Sequence, residues 1–241
     1  MHRTTRRISL TDAGEQLYVS ARRSFDDIGR TTEQIIGKQR KPLIDVSVST
    51  YFSARWLSPR LGKFWEFNPE VQLRFHHDSD SDDIDPDSYD LAIRWGFGDW
   101  SGPYNVTRLF DAPMSAYCSP HLFEGLGRPP AYEDLRKVVL LSDKLHAWRR
   151  WFECVGIADP DLSNSRYIAD PLFRVQTAVD GHGILLGDLL LQHELDVGDL
   201  ICPFEAQVPN CAFYLLTKDE RFAKSEVVLF RDWLIEEATD S

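Results

Sequence analysis

The chain has 241 residues, of which 43% are hydrophobic and 27% charged, enough to bury one large core or two small ones. No apolar run approaches the ~18 residues of a membrane span, and the basic N-terminus lacks the apolar centre of a secretory signal, so the expectation is a cytoplasmic protein without a membrane role. The formal charge of −11 is unevenly spread: residues 1–42 stand at +4 and the remainder at −15, a basic arm fit for a polyanion on an acidic body that is not.

Residues 3–9 alternate cationic and hydroxyl side chains, with Arg3, Arg6 and Arg7 in an extended ribbon. Thr11 suits a helix N-cap, and Asp12 and Glu15 complement the positive end of the helix dipole. The helix should run to about Ile36, ended by Gly37 and Pro42. Leu17, Ala21, Ser24, Ile28, Thr31 and Ile35 recur at alternating steps of four and three, a narrow seam suited to pairing with a second helix. A terminal helix packed on its own domain is the other reading.

From Leu43 the pattern changes. "LIDVSVS" reads as a strand and "TYFSARWLSPRLGKFWEF" as mostly helix disturbed by Pro59; "VQLRFHH" and "DLAIRWG" read as further strands. The alternation then restarts: "KVVLLS" strand, "AWRRWFECVG" helix, "SRYIAD" strand, "PLFRVQTAVDGHG" helix, "ILLG" strand, "LLLQHEL" helix, "NCAFYLLT" strand, and "SEVVLFRDWLIEEA" a closing amphipathic helix. This is an α/β grammar with mainly parallel sheets, organised as two lobes joined near "SAYCSPHL" and "FEAQVPNC".

Several chemistries find little support. "GFGDWSG" and "GHGILLG" do not spell a dinucleotide loop, and the second enters a strand instead of a helix. Asp78, Asp80 and Asp82 have calcium-loop spacing, but Asp83 stands where a glycine is required and Tyr89 where a glutamate should be, so a solvated acidic loop and no metal is expected. No nucleophile elbow or paired-histidine zinc motif occurs, so no enzyme and no cofactor are expected. Cys118, Cys154, Cys202 and Cys211 lack C-x-x-C spacing and read as reduced and mostly buried. Ser49, Thr50 and Tyr51 are more promising, because they follow the first strand where a helix begins. Free N–H groups there favour an anion, and the hydroxyls can either add donors or simply cap the helix.

"HRTTRRISLTDAGEQLY" resembles the wing and linker-helix start of LysR-type transcriptional regulators, with Arg3, Arg6, Leu10, Thr11, Ala13 and Gly14 at matching positions. "DLAIRWGFGDWSG", "YCSPHL" and "VDGHGILL" resemble the effector domain of the same family, in the subgroup of the glycine-cleavage activator. The resemblance implies a remnant wing over 1–11, a linker and dimerisation helix with hinge over 12–42, and a two-lobed, type 2 periplasmic-binding-protein-like effector domain over 43–241. Lobe I would span about 43–118 and 212–241, and lobe II about 119–211. It also implies a small-molecule effector, here anionic, in the interlobe cleft, with Arg94, Trp95 and the segment near Phe173 facing it beside Ser49, Thr50 and Tyr51. Arg3, Arg6 and Arg7 would touch DNA phosphates, and Leu17, Ala21, Ile28 and Ile35 would pair the chains into dimers, with tetramers implied by the family. The recognition helix would precede residue 1, so DNA is a partner of a full-length form only. A free-standing solute-binding module is the competing reading, which leaves the basic ribbon without a purpose.

Overall fold

The structure, a computed structural model, describes residues 41–77, 89–100, 102, 104–218 and 224–239. The readings placed on the ribbon with Arg3, Arg6 and Arg7, on the seam with Leu17, Ala21, Ile28 and Ile35, and on the acidic loop lie outside the described residues.

Among the described residues, ten strands form two sheets. The first orders β1 (Leu43–Ser47), β2 (Gln72–His76), β3 (Leu91–Gly96), β4 (Asn105–Asp111) and β10 (Ala212–Thr217) as β2-β1-β3-β10-β4. The second orders β5 (Met114–Cys118), β6 (Leu140–Ser142), β7 (Ser165–Tyr167), β8 (Ile184–Gly187) and β9 (Gln207–Val208) as β7-β6-β8-β5-β9. Both are mixed and not mainly parallel. β1 pairs in parallel with β2 and β3, and β6 with β7 and β8, but β10 runs antiparallel to β3 and β4, and β5 antiparallel to β8 and β9. The cause lies in the connections, since the chain crosses between sheets and returns through β10 against the direction of its neighbours.

The crossing itself lies earlier than the sequence places it. "SAYC" is strand β5 of the second sheet, so the chain changes lobe between Asp111 and Met114. Ala112 N–H donates to the carbonyl of Cys211 at 2.9 Å, tying the outgoing and returning segments together. Strands β4, β5 and β9 escaped the sequence reading. The burial of β5 is continuous, so it shows no alternation, and β4 is largely exposed.

Helix α1 comprises Thr50–Phe52, a π turn over Ser53–Leu57, and Ser58–Phe67. Pro59 does not break it. The wider turn lies directly before the proline ring, which would clash in a regular ladder, and Ser58 N–H reaches back five residues to Ser53 O. Lobe II carries α2 (Leu145–Cys154), α3 (Pro171–Val179) and α4 (Gln192–Val197); α5 (Ser225–Thr239) returns to lobe I, where Phe230 meets Phe64 edge-on at 4.9 Å.

The core of lobe II is aromatic. Trp148 and Trp151 are fully buried, and their indole N–H groups donate to Leu141 O and Ala206 O, both at 3.1 Å, so each large ring is buried without stranding its donor. A second apolar cluster runs across the lobe boundary, joining Tyr51, Phe52 and Trp56 of α1 to Leu185, Leu191 and Val175 of lobe II. All four cysteines are unpaired; Cys118 and Cys211 are buried, whereas Cys154 and Cys202 are exposed, against the expectation that most are buried.

Candidate functional site

A cavity of about 580 Å3 lies where the carboxyl ends of β1, β3, β6 and β8 converge. Lobe I contributes Ser49, Tyr51, Arg94, Trp95, Phe97 and Trp100; lobe II contributes Asp143, Lys144, Arg150, Arg174 and Asp188 among others. The volume falls within the few hundred to ~1,000 Å3 typical of small-molecule sites. Among the described residues, no group of His, Cys, Asp or Glu side chains is placed to hold a metal ion, and no helix is long and apolar enough to cross a membrane.

The hydroxyls at the start of α1 are already engaged. Ser49 lines the cavity and caps the helix, its Oγ accepting Phe52 N–H at 3.2 Å. Thr50 does not line the cavity; its Oγ1 donates to Asp170 Oδ2 at 2.8 Å. Asp170 belongs to lobe II, where its Oδ1 caps α3 by accepting Phe173 N–H at 2.7 Å. The protein thus supplies its own carboxylate to the Thr50 hydroxyl, the group expected to serve an anionic ligand.

Two further residues of α1 cross the boundary. Tyr51 OH donates to Asp188 Oδ1 at 2.9 Å. Arg55 sends both fork arms to Glu194 at 2.6 Å and shares Nη1 with Leu190 O at 3.1 Å. Burial alone would raise the Glu194 carboxyl, but this bidentate pairing more than offsets it and holds the group below its ordinary range. Burial dominates at Asp188 instead, and pushes it up to about 6 despite bonds from Leu190 N–H and Tyr51. Burial, with the Asp188 charge beside it, also raises Tyr51 well above the usual tyrosine range, so its hydroxyl remains a donor.

Arg94 lines the cavity while its fork serves lobe I, donating to Ser47 O at 3.1 Å, Ile93 O at 2.9 Å and Ser47 Oγ at 2.6 Å. Trp95 also lines it, with Nε1 donating to Ala112 O at 3.1 Å beside the crossover. Phe173 departs from the expectation: it is 63% exposed and does not line the cavity. Pro171, Arg174 and Val175 do, and at ~100° per residue Phe173 points to the opposite side of α3.

The structure therefore brings Ser49, Tyr51, Arg94 and Trp95 together and leaves Thr50 and Phe173 outside. Sequence reasoning missed Asp143, Lys144, Arg150 and Asp188. A usable signal existed. The rule that ligands gather at the carboxyl ends of strands drew attention to Ser49 after β1, and applied to β6 and β8 it selects Ser142–Lys144 and Gly187–Asp188. A Cβ at Gly187 would meet Leu191 Cδ1, and because Leu191 is fully buried a larger residue there would force the packing to shift.

Two mixed α/β lobes closing on a cavity at their strand ends define a periplasmic-binding-protein-like small-molecule-binding domain. Residues 37–239 match the LysR substrate binding domain, and the chain belongs to that family. It is 28% identical over 239 residues to the glycine cleavage system transcriptional activator of Escherichia coli (strain K12), covering 98% of this chain and 78% of the relative. It is 30% identical over 241 residues to the HTH-type transcriptional regulator PerR of the same strain, covering 98% and 79%. Among solved structures, the effector domain of the transcriptional regulator AmpR of Pseudomonas aeruginosa superposes with a TM-score of 0.71 at 26% identity, over 83% of this chain and 96% of that one. The chain contains the effector-binding domain of a LysR-type transcriptional regulator.

Proposed function

We propose that the cavity between the two lobes binds a small effector carrying an anionic group, and that the domain reports its occupancy to DNA-binding elements of a full-length form. The observation that carries this reading is Arg150. It lines the cavity from α2, lies 4.0 Å from the centroid of Phe97, and forms no ion pair with any described residue. A guanidinium stacked on a ring in a partly enclosed site is a ready partner for a carboxylate or phosphate. Arg94, by contrast, is committed to the backbone and hydroxyl of Ser47.

The role is binding without turnover, in the cytoplasm where the DNA is. Self-association through Leu17, Ala21, Ile28 and Ile35, and phosphate contacts through Arg3, Arg6 and Arg7, complete the proposal on the strength of the sequence pattern. The test is a thermal-shift screen of small carboxylates and phosphates against the wild type and Ala147→Trp, whose indole would fill the space beside Arg150. Ligands that raise the wild-type Tm should leave the variant unmoved. Equal shifts in both proteins would place the site elsewhere.

A further inference from the structure

Asp188 is held in the cavity wall at the carboxyl end of β8, only 6% exposed. Tyr51 OH and Leu190 N–H both donate to Oδ1, and Oδ2 receives no hydrogen bond from any described residue. Arg55, whose charge acts on Asp188, has its fork occupied by Glu194 and Leu190. The cavity wall mixes apolar side chains such as Leu141, Val175, Leu185 and Leu186 with charged ones, Asp143, Lys144 and Arg174 among them. Oδ2 is not sealed among the packed side chains but opens on the cavity, where a ligand donor can take the place of water. With its pKa at about 6, Asp188 is ionised at neutral pH and calls for a cation.

Arg150, on the same cavity, calls for an anion. Both side chains line the one cavity, Asp188 from the end of β8 and Arg150 from α2. A purely anionic ligand would meet Asp188 as a like charge, whereas a ligand bearing both charges satisfies the two walls. We infer that the cavity takes a zwitterion, with a primary ammonium on Asp188 Oδ2 and a carboxylate on the Arg150 guanidinium. The cavity, at about 580 Å3, has room for a body between the two ends, against Trp95 and Trp100. The class is an amino acid with a large side chain or a short peptide. This assignment rests on the reading of the cavity as the effector site.

The test pairs each member of a panel of free dipeptides with its N-acetylated counterpart, measured by calorimetry against the wild type, Asp188→Asn and Arg150→Gln. The asparagine retains an oxygen to accept from Tyr51 and Leu190, and its Tm at pH 5 checks folding. Loss of one charged hydrogen bond corresponds to about tenfold or more in affinity. Free peptides should therefore bind the wild type about tenfold more tightly than acetylated ones, Asp188→Asn should abolish that preference, and Arg150→Gln should weaken both forms. Equal binding of free and acetylated forms to the wild type would overturn the ammonium contact and leave the cavity reading intact. So would silence of every peptide alongside binding of simple carboxylates. Free peptides that bind the wild type and Ala147→Trp alike would overturn both.

Discussion

The two sides of the lobe boundary treat their polar groups in opposite ways. On the α1 side the groups that reach across are met: Thr50 by Asp170, Tyr51 by Asp188, Arg55 by Glu194. On the α2 side Arg150 lies over Phe97 with no ion pair among the described residues. An arginine whose two terminal nitrogens are taken up by its own chain holds lobes together, and one whose fork is open is available for recognition. Asp188 belongs to both, with one oxygen in the lock and the other without a donor.

Removing Arg55 is the severest way to break this contrast. Its side chain and that of Glu194 are 16% and 12% exposed, so Arg55→Ala strands a largely buried carboxylate and should cost about 3 kcal/mol in urea unfolding. A variant as stable as the wild type would show that the fork contributes nothing across the boundary.

Thr50→Val removes one bond to a carboxylate that keeps its capping role at Phe173. The expected loss is about 1.5 kcal/mol, together with weaker effector binding through a looser boundary. Unaltered melting and unaltered affinity in the same variant would remove Thr50 from the lock.

Asp188 adds a pH signature. Its folded pKa, about 6, lies above the ordinary 3.8, so the folded state holds the proton more tightly and stability falls as pH rises through that window. Relative to Asp188→Asn, the wild type should lose about 1 kcal/mol between pH 5 and pH 7. Parallel stability curves for the two proteins would place Asp188 in water.

The smallest expected effect is on the folding of Arg150→Ala. An exposed side chain resting on one ring should change stability by no more than about 0.5 kcal/mol. A loss several times larger would make Arg150 a structural residue like Arg55.

The same contrast explains what the sequence could and could not disclose. Helices with a clear period were legible, including "AWRRWFECVG" and "PLFRVQTAVDGHG", and "NCAFYLLT" was legible as a continuous, largely apolar run. β5 was not, because Ser115 interrupts its short run "MSAYC" and its uniform burial leaves no alternation to read instead. The end of β1 was legible as a site because hydroxyls before a helix are a local signal. That Thr50 would meet Asp170, 120 positions away, is a product of lobe packing that no local pattern encodes. Asp188 and Arg150 were visible as residues, but the burial of the first and the placing of both on one cavity exist only once the lobes meet.

The most direct test of the division between lock and site is to take whichever small carboxylate or phosphate stabilises the wild type and titrate it calorimetrically into Arg150→Ala. The affinity should be at least about tenfold weaker in a protein whose ligand-free Tm is unchanged. Wild-type affinity in Arg150→Ala would contradict that division.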